Sequence, residues 1–511
     1  MTRNLEATVK RALISSVIAL VTAAAVPVLA THDQDDHSDN MSRVSTFDHG
    51  DTYRQGSDLA FWGDLAVLGN YDNPGGFRLM DIADPEEPKL VGQLQCPGPQ
   101  NDVSIWEDLV FLSVDSPRAD AKCGAGGAST SQNADGTAWE GIRIVSIDDP
   151  SNPTPIAMVR TDCGSHTHTL VPDPENDRVL IYVLSYPLGV QYPSCNVATH
   201  RKISVIEVPL SDPVKAKVVS TPSVSPAIGC HDVTVLMPAK RAAAACISES
   251  QIWDISDPMN PVVLSHIVNP AINIHHSSTW SFDGKTVVLG DELGGAAVSP
   301  GCFTGGHAML GALWFYDVSD PAAPQQRGYF QIPQQESSLF CTAHNFNTIP
   351  LRDDRDVLVS GWYNGGTTVV DFTDPSKPTQ LGYYIPRDEE RVASWSSYWY
   401  NGLIYSNNFD EDVNSSTRAS RGFDVFRFDD PVVTRAAQLT HLNPQTQEAF
   451  PGSAAAMRTA RAREARAGST EVLGARVSRL LAATGVLVSV PLAVAPLAMA
   501  VSLGWWARRR R

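Results

Sequence analysis

The sequence predicts an all-β fold: a seven-bladed β-propeller with four-stranded blades, plus an N-terminal signal peptide and a C-terminal transmembrane helix. Three observations carry this. A β-rich phrase ending in Asp-Pro occurs seven times, each copy is flanked by further short β-rich runs, and two uncharged runs bracket the repeats.

The phrase reads FRLMDIADPEEP at 77–88, IRIVSIDDPSNP at 142–153, ISVIEVPLSDP at 203–213 and IWDISDPMNP at 252–261. It returns as LWFYDVSDPAAP at 313–324, TTVVDFTDPSKP at 367–378 and, in a weaker copy, FDVFRFDDP at 423–431. The Asp-Pro prolines are separated by 65, 63, 45, 63, 54 and 56 residues. Alternating apolar residues make a half-buried strand. Asp before Pro opens a turn, because the carboxylate bonds its own backbone and Pro fixes φ. Another short strand follows each turn, such as KLVGQL at 89–94 or QLGYYI at 380–385. Two more precede each phrase: SDLAFW at 57–62 then LAVLGNY at 65–71, or NDVSIW at 101–106 then LVFLSVD at 109–115. Four short strands at a period near 50 residues fit a propeller blade. The uneven spacing places insertions at 116–140, 184–200 and 293–310. The stretch RVSTF at 43–47 is expected to close the ring as the outer strand of the last blade; the alternative is that 433–440 does so.

These copies resemble the LVIVD-repeat family, whose consensus is a β-rich run ending in Asp-Ile-Ser-Asp-Pro. The resemblance covers about 55–432 and implies a β-propeller displayed on a bacterial or archaeal surface. Ser146, Glu207 and Arg427 depart from the phrase, and blade seven matches it least.

The ends address the chain. Arg3, Lys10 and Arg11 precede an uncharged run from Ala12 to Val28, and Val28-Leu29-Ala30 offers the small residues read by a signal peptidase. Residues 1–30 are therefore expected to be a signal peptide, with an uncleaved anchor as the alternative. At the other end, Leu480 to Leu503 is uncharged over 24 residues, enough to cross a bilayer, and is interrupted only by Pro491 and Pro496. Trp505 and Trp506 follow, then Arg508 to Arg511. A basic end stays in the cytoplasm, so a single-pass helix over 480–506 with a tail at 507–511 leaves the propeller outside the cell. Residues 31–42 read as a flexible polar leader, 43–440 as the propeller and 441–479 as a stalk.

The formal charge of −17 is uneven: residues 1–30 carry +2 and 433–511 carry +8, which leaves −27 on 31–432. An acidic body repels phosphate, so nucleic acid is not an expected partner. The expected partners are the membrane, through the C-terminal helix, and an extracellular ligand or protein. Eight cysteines, Cys96, Cys123, Cys163, Cys195, Cys230, Cys246, Cys302 and Cys341, form no CxxC pair and suit disulfides outside the cell. Pairing with the neighbour in sequence is expected, because Cys96, Cys163 and Cys230 each lead into a repeat whose interior holds the next cysteine.

Histidines mark the candidate site. Thirteen occur, and His166, His168, His231, His275, His276 and His344 cluster at the start of the first strand of blades three to six. First strands line a propeller's channel, so equivalent positions approach one another. His275 and His276 are adjacent and cannot both face the channel, because side chains alternate along a strand. Converging neutral imidazoles suit Zn, Cu or Fe. Asp102 and Asp232 are candidates for orienting the rings. Two other readings stay open: a structural belt of hydrogen bonds, and a metal-free ligand pocket. Selenium-binding-type propellers, including methanethiol oxidases, are similar in carrying channel histidines, and that resemblance implies copper and a metal-dependent extracellular oxidoreductase as the alternative function. No GxSxG, P-loop, HExxH or EF-hand motif is present, so no catalytic residue is assigned. Asp291 and Glu292 read as a turn, and Trp362 and Tyr363 as core or rim packing. The primary reading is an anchored propeller that binds a ligand or partner, with a transition metal at the channel mouth.

Overall fold

The computed structural model describes residues 35–447, apart from 51–52, 54, 72–73, 188–194, 199, 293–310, 335–340, 387–391 and 411–421. The predicted signal peptide, transmembrane helix, basic tail and most of the stalk lie outside the described residues. No helix among the described residues is long and apolar enough to cross a membrane.

Seven sheets form the blades, each with four antiparallel strands, consecutive in the chain in the first six blades. The innermost strands are Gly56–Trp62, Val103–Trp106, Thr167–Asp173, Asp232–Leu236, His275–Trp280, Phe346–Thr348 and Val392–Tyr400. Each runs from the histidine rim toward the opposite face, where it turns back. The Asp-Pro turns join the third and fourth strands, so they lie on that opposite face. The Asp of the Asp-Pro turn bonds its own backbone as expected: Asp84 accepts from Glu86 N at 3.0 Å, and Asp257 from Met259 N at 3.1 Å.

The core lies between blades. Val171, Leu180, Tyr182 and Val205 of blade three meet Val233, Val235, Ala242, Ala244 and Trp253 of blade four, all almost fully buried. Strand Arg241–Ala245 is alanine-rich. Its short side chains leave the volume that Trp253 fills, as close packing demands.

In all seven blades the pairing of the third and fourth strands contains a register shift. A bulge there bends the strand and increases its twist. The bulged region also meets the Asp-Pro turn of the next blade. Ser45 Oγ donates to Pro85 O at 2.6 Å, and Ser265 Oγ to Pro321 O at 2.7 Å. Where the outer strand carries Gly92 the turn comes closer still, and a Cβ there would sit 1.8 Å from Pro150 O. The recurring phrase therefore latches one blade onto its neighbour.

Strand Met41–Phe47 pairs with Phe423–Phe428 and supplies the outer strand of blade seven, so the ring closes through the N-terminal segment. The rival segment is elsewhere: Pro431–Arg435 forms a short helix capped by Asp430. The polar leader differs from expectation. Asp36 and His37 add a fifth strand to blade six, and the closing strand begins at Met41. Edge pairing asks only for backbone groups, so a polar sequence can supply it. Here Asp36 also accepts from the Tyr383 hydroxyl at 2.9 Å, and His37 stacks on Tyr384.

The start of the expected stalk is also part of the fold. Residues 441–447 enter the channel from the face opposite the histidines. His441–Leu442 pairs with the end of the first blade's inner strand, and Thr446–Gln447 runs parallel to Val235 and Leu236 of blade four. Between them Asn443 brackets Ile105, accepting from its N at 2.8 Å and donating to its O at 2.9 Å. Gln447 does the same to Trp280, at 2.8 and 2.9 Å. These amides act as single rungs of a β-ladder on strand edges that would otherwise face the channel unpaired.

Disulfides Cys96–Cys123, Cys163–Cys195 and Cys230–Cys246 join neighbours in sequence and mark an oxidising, extracytoplasmic environment. Cys341 is also disulfide-bonded, and Cys302 lies outside the described residues.

Asn443→Ala leaves a buried N–H and a buried C=O of Ile105 unmatched. It is expected to cost about 2–5 kcal/mol of unfolding free energy. Urea unfolding of the two proteins side by side measures it, and a loss under about 1 kcal/mol would mean that water replaces the amide.

Candidate metal centre

The first strands deliver four histidines to one point. Ring centroids are 4.6 Å apart for His166 and His231, 3.8 Å for His231 and His276, and 4.4 Å for His276 and His344. His231, His276 and His344 are no more than 4% exposed, whereas the His166 side chain keeps 22%. The remaining two predicted ligands lie outside this group. His168 Nε2 bonds Ser104 Oγ at 2.6 Å and its Nδ1 bonds Ser113 Oγ at 2.8 Å, so its nitrogens belong to a structural belt. His275 turns away from the channel and bonds Ser250 Oγ at 2.7 Å, which the alternation along its strand requires.

A carboxylate completes the cluster. Glu292 Oε2 lies 3.5 Å from His276 Nε2, and its Oε1 lies 3.7 Å from His344 Nε2. The Tyr363 hydroxyl donates to Oε1 at 2.6 Å. Asp291 faces the other way and accepts backbone N–H groups from Asn273, Ile274 and Gly311. The adjacent pair is therefore split between two faces, and Glu292 is a site residue and not merely part of a turn. Tyr363 likewise faces the site, its ring tilted against His344 with centroids 4.6 Å apart, while Trp362 is core.

Outer partners orient the rings. His344 Nδ1 bonds the Trp395 carbonyl and His276 Nδ1 bonds Ser277 Oγ, so Nε2 of each is aimed at Glu292. Asp115 Oδ2 holds His166 Nδ1 at 2.7 Å. Asp232, expected to orient a ring, lies with His231 and His276 so that one ligand atom from each falls within 4.8 Å of the others. His276, Glu292 and His344 form a second such group. Asp102 sits 3.0 Å from His168 Nδ1 and so orients the belt histidine, not the cluster.

Burial sets the protonation. It holds His231 and His276 well below the ordinary imidazole range, aided by neighbouring histidines, and His344 down to about 3. The rings are neutral, the form that ligates metals. Burial pushes Glu292 up to about 7, against the Tyr363 hydroxyl, and Asp102 up to about 7.

Asp115, Glu292, Tyr363, Tyr186 and Tyr71 share a signal that a strand-by-strand reading overlooks. Each is the last residue of a seven-residue second-strand segment: LAVLGNY, LVFLSVD, LIYVLSY, TVVLGDE and VLVSGWY. Second strands end at the histidine rim, so this position recurs around the site. Tyr186 packs 5.0 Å from His166 and 5.7 Å from His231.

No protein-family model matches the chain, and no curated protein matches it. The LVIVD resemblance therefore rests on the repeated phrase. Among solved structures, the chain is similar to the X-ray structure of a hypothetical selenium-binding protein from Sulfolobus tokodaii, at a TM-score of 0.41 and 12% identity, over 66% of this chain and 80% of that one. A likeness that distant carries no argument about activity.

His168 is held down to about 3 by burial. Its folded value lies below the ordinary 6.5, so the unfolded chain takes up its proton first as pH falls. The stability it contributes is complete above about 6.5 and declines by about 1.4 kcal/mol per unit toward about 3. Imidazole 15N shifts should show His168 neutral at pH 5, and His168→Gln should remove that slope from the unfolding free energy. A ring half-protonated near 6.5 would contradict this.

Proposed function

We propose that this chain is an exported, membrane-anchored propeller. It binds a small ligand or partner at its histidine rim, through a transition metal held by His231, His276, His344 and Glu292, with His166 at the open edge. The observation that carries the reading is the spacing about Glu292. At 3.5 and 3.7 Å its oxygens are too far from the two Nε2 atoms for good hydrogen bonds. Two ligands about 2.1 Å from one tetrahedral ion stand about 3.4 Å apart. The donors thus have the separation of groups that straddle an ion. His231 Nδ1, buried without a hydrogen-bond partner, is a further free donor. Neutral imidazoles with one carboxylate suit Zn, Fe or Cu more than a hard cation.

The chain's own residues divide the remaining work. Asp115 fixes the tautomer of His166, leaving Nε2 bare at the open edge. The Trp395 carbonyl and Ser277 do so for His344 and His276. Tyr186, Tyr363 and Trp395 wall the cluster with aromatic rings and keep water from three of the four histidines. The predicted anchor at 480–506 would keep the site at the cell surface.

A second reading, a metal-dependent oxidoreductase, is favoured by the partial exposure of His166 beside the Tyr186 phenol. Bound copper would supply one-electron chemistry there. His166 would then present an edge open to substrate, and Tyr363 and Glu292 would hold a proton between them at Oε1.

Metal analysis of the purified protein after exposure to Zn, Cu or Fe is expected to give one tight equivalent. It should be lost in a variant with His231, His276 and His344 changed to Ala and kept in His168→Ala. Wild-type protein without stoichiometric metal would end the metal reading. Asp115→Asn should weaken binding about 10- to 100-fold by loosening His166. An unchanged Kd in a competition titration would remove His166 from the ligand set. Oxidase activity confined to the copper-loaded protein would favour the second reading.

A further inference from the structure

We propose a second cation site deeper in the channel, an oxygen-donor site at Asp58 and Asp102 that takes a hard divalent cation, Ca2+ first, and is completed by the C-terminal hairpin. Asp58, Asp102 and Asp232 occupy the same position on the inner strands of blades one, two and four. None is more than 3% exposed. The Asp58 and Asp102 carboxyls stand within hydrogen-bonding distance of each other, and both repel Asp232. Carboxyls at such depth need neutralising, by a proton or by a cation, because burial penalises their charged forms.

The surrounding donors favour the charged forms. The Tyr398 hydroxyl and Gln445 Nε2, the latter at 2.8 Å, donate to Asp58. His168 N donates to Asp102 at 2.8 Å. What is missing is a positive partner. Asp102 Oδ1 and Asp232 Oδ1 are buried and meet no hydrogen-bond donor. The nearest imidazole, His168, has Nε2 on Ser104 and Nδ1 shared between Ser113 and Asp102, and burial holds the ring neutral, so it brings no charge.

The chemistry of the donors separates this site from the one above it. Here the ligand atoms are carboxylate oxygens beside a phenol oxygen, with the Gln445 amide holding Asp58 through its N–H, and oxygen donors suit Ca2+ or Mg2+. The upper layer offers imidazole nitrogen, which suits softer ions. A cation here would tie Gln445 of the hairpin to blades one and two, and Tyr398 of blade seven to the same point. The proposal goes beyond the histidine site and does not depend on it.

The test uses the full-length protein in detergent, with His231, His276 and His344 changed to Ala to silence the upper site, and wild type in parallel. After chelator treatment, each is titrated with CaCl2 and MgCl2 while bound metal and thermal unfolding are followed. One equivalent of Ca2+ is expected, with an unfolding midpoint that rises with Ca2+. At a hundredfold excess over Kd, the folded-to-unfolded ratio should rise about a hundredfold. Asp58→Asn and Asp102→Asn keep the shape and remove one charge each, so both should lose the equivalent and the shift. Wild type decides the matter even where a variant fails to fold. No response to either cation up to about 10 mM, weaker than the loosest common Ca2+ modules, overturns the proposal. So does a Ca2+ response that survives Asp102→Asn, or a stability that follows pH alone, which would mean that Asp58 and Asp102 share a proton instead.

Discussion

Everything about the candidate site depends on closing the ring. The pairing of Met41–Phe47 with Phe423–Phe428 makes the seventh sheet four-stranded and leaves no blade out of the circle. A row of seven sheets without that pairing would keep its inner strands in line. The closed row bends them around one axis. Only then do residues far apart in sequence meet, as Tyr71 of blade one meets Trp395 of blade seven at 6.1 Å. The latches between outer strands and Asp-Pro turns, as at Ser45, Gly92 and Ser265, hold the same curvature at the rim. The hairpin at 441–447 holds it at the axis by bonding inner strands of blades one to five.

The channel so formed is unusual for a protein interior in what it buries. Histidines, carboxyls and phenols occupy positions where most folds place aliphatic side chains. They are tolerated because burial drives them toward uncharged forms. The imidazoles are held low, while Asp102 and Glu292 are pushed up to about 7. That state costs stability in proportion to how far each group is moved from its ordinary value. It also leaves imidazole lone pairs free, which is what a ligand site needs. The polar channel is thus a place where stability and function pull in opposite directions, as at many functional sites.

The fold was legible because its signal is local. An Asp-Pro turn after alternating apolar residues makes the same hairpin wherever it occurs, and seven copies can be counted. The site was half legible. His166, His231, His276 and His344 were visible as a periodic position, but their neighbours His168 and His275 carry the same residue type with different partners. Glu292, Asp115 and Tyr186 share one repeat position yet differ in chemistry, so no single residue type announces them. The places of residues 36–37 and 441–447 were not legible, because composition does not say which groups a segment will meet. Asp36, Asn443 and Gln447 bond backbone and side-chain groups already built by the propeller, and their own sequences give no sign of that.

The amino-acid sequence by itself determined the blade, its turn, the number of copies and the rim on which histidines fall, since each follows from spacing along the chain. Which histidines converge was decided only by the tertiary structure. So were the carboxylate that joins them and the segment that fills the channel behind them. The reason is directional. A strand fixes on which face a side chain lies, but what it meets there is set by the neighbouring blades and by a hairpin that arrives from the far end of the propeller.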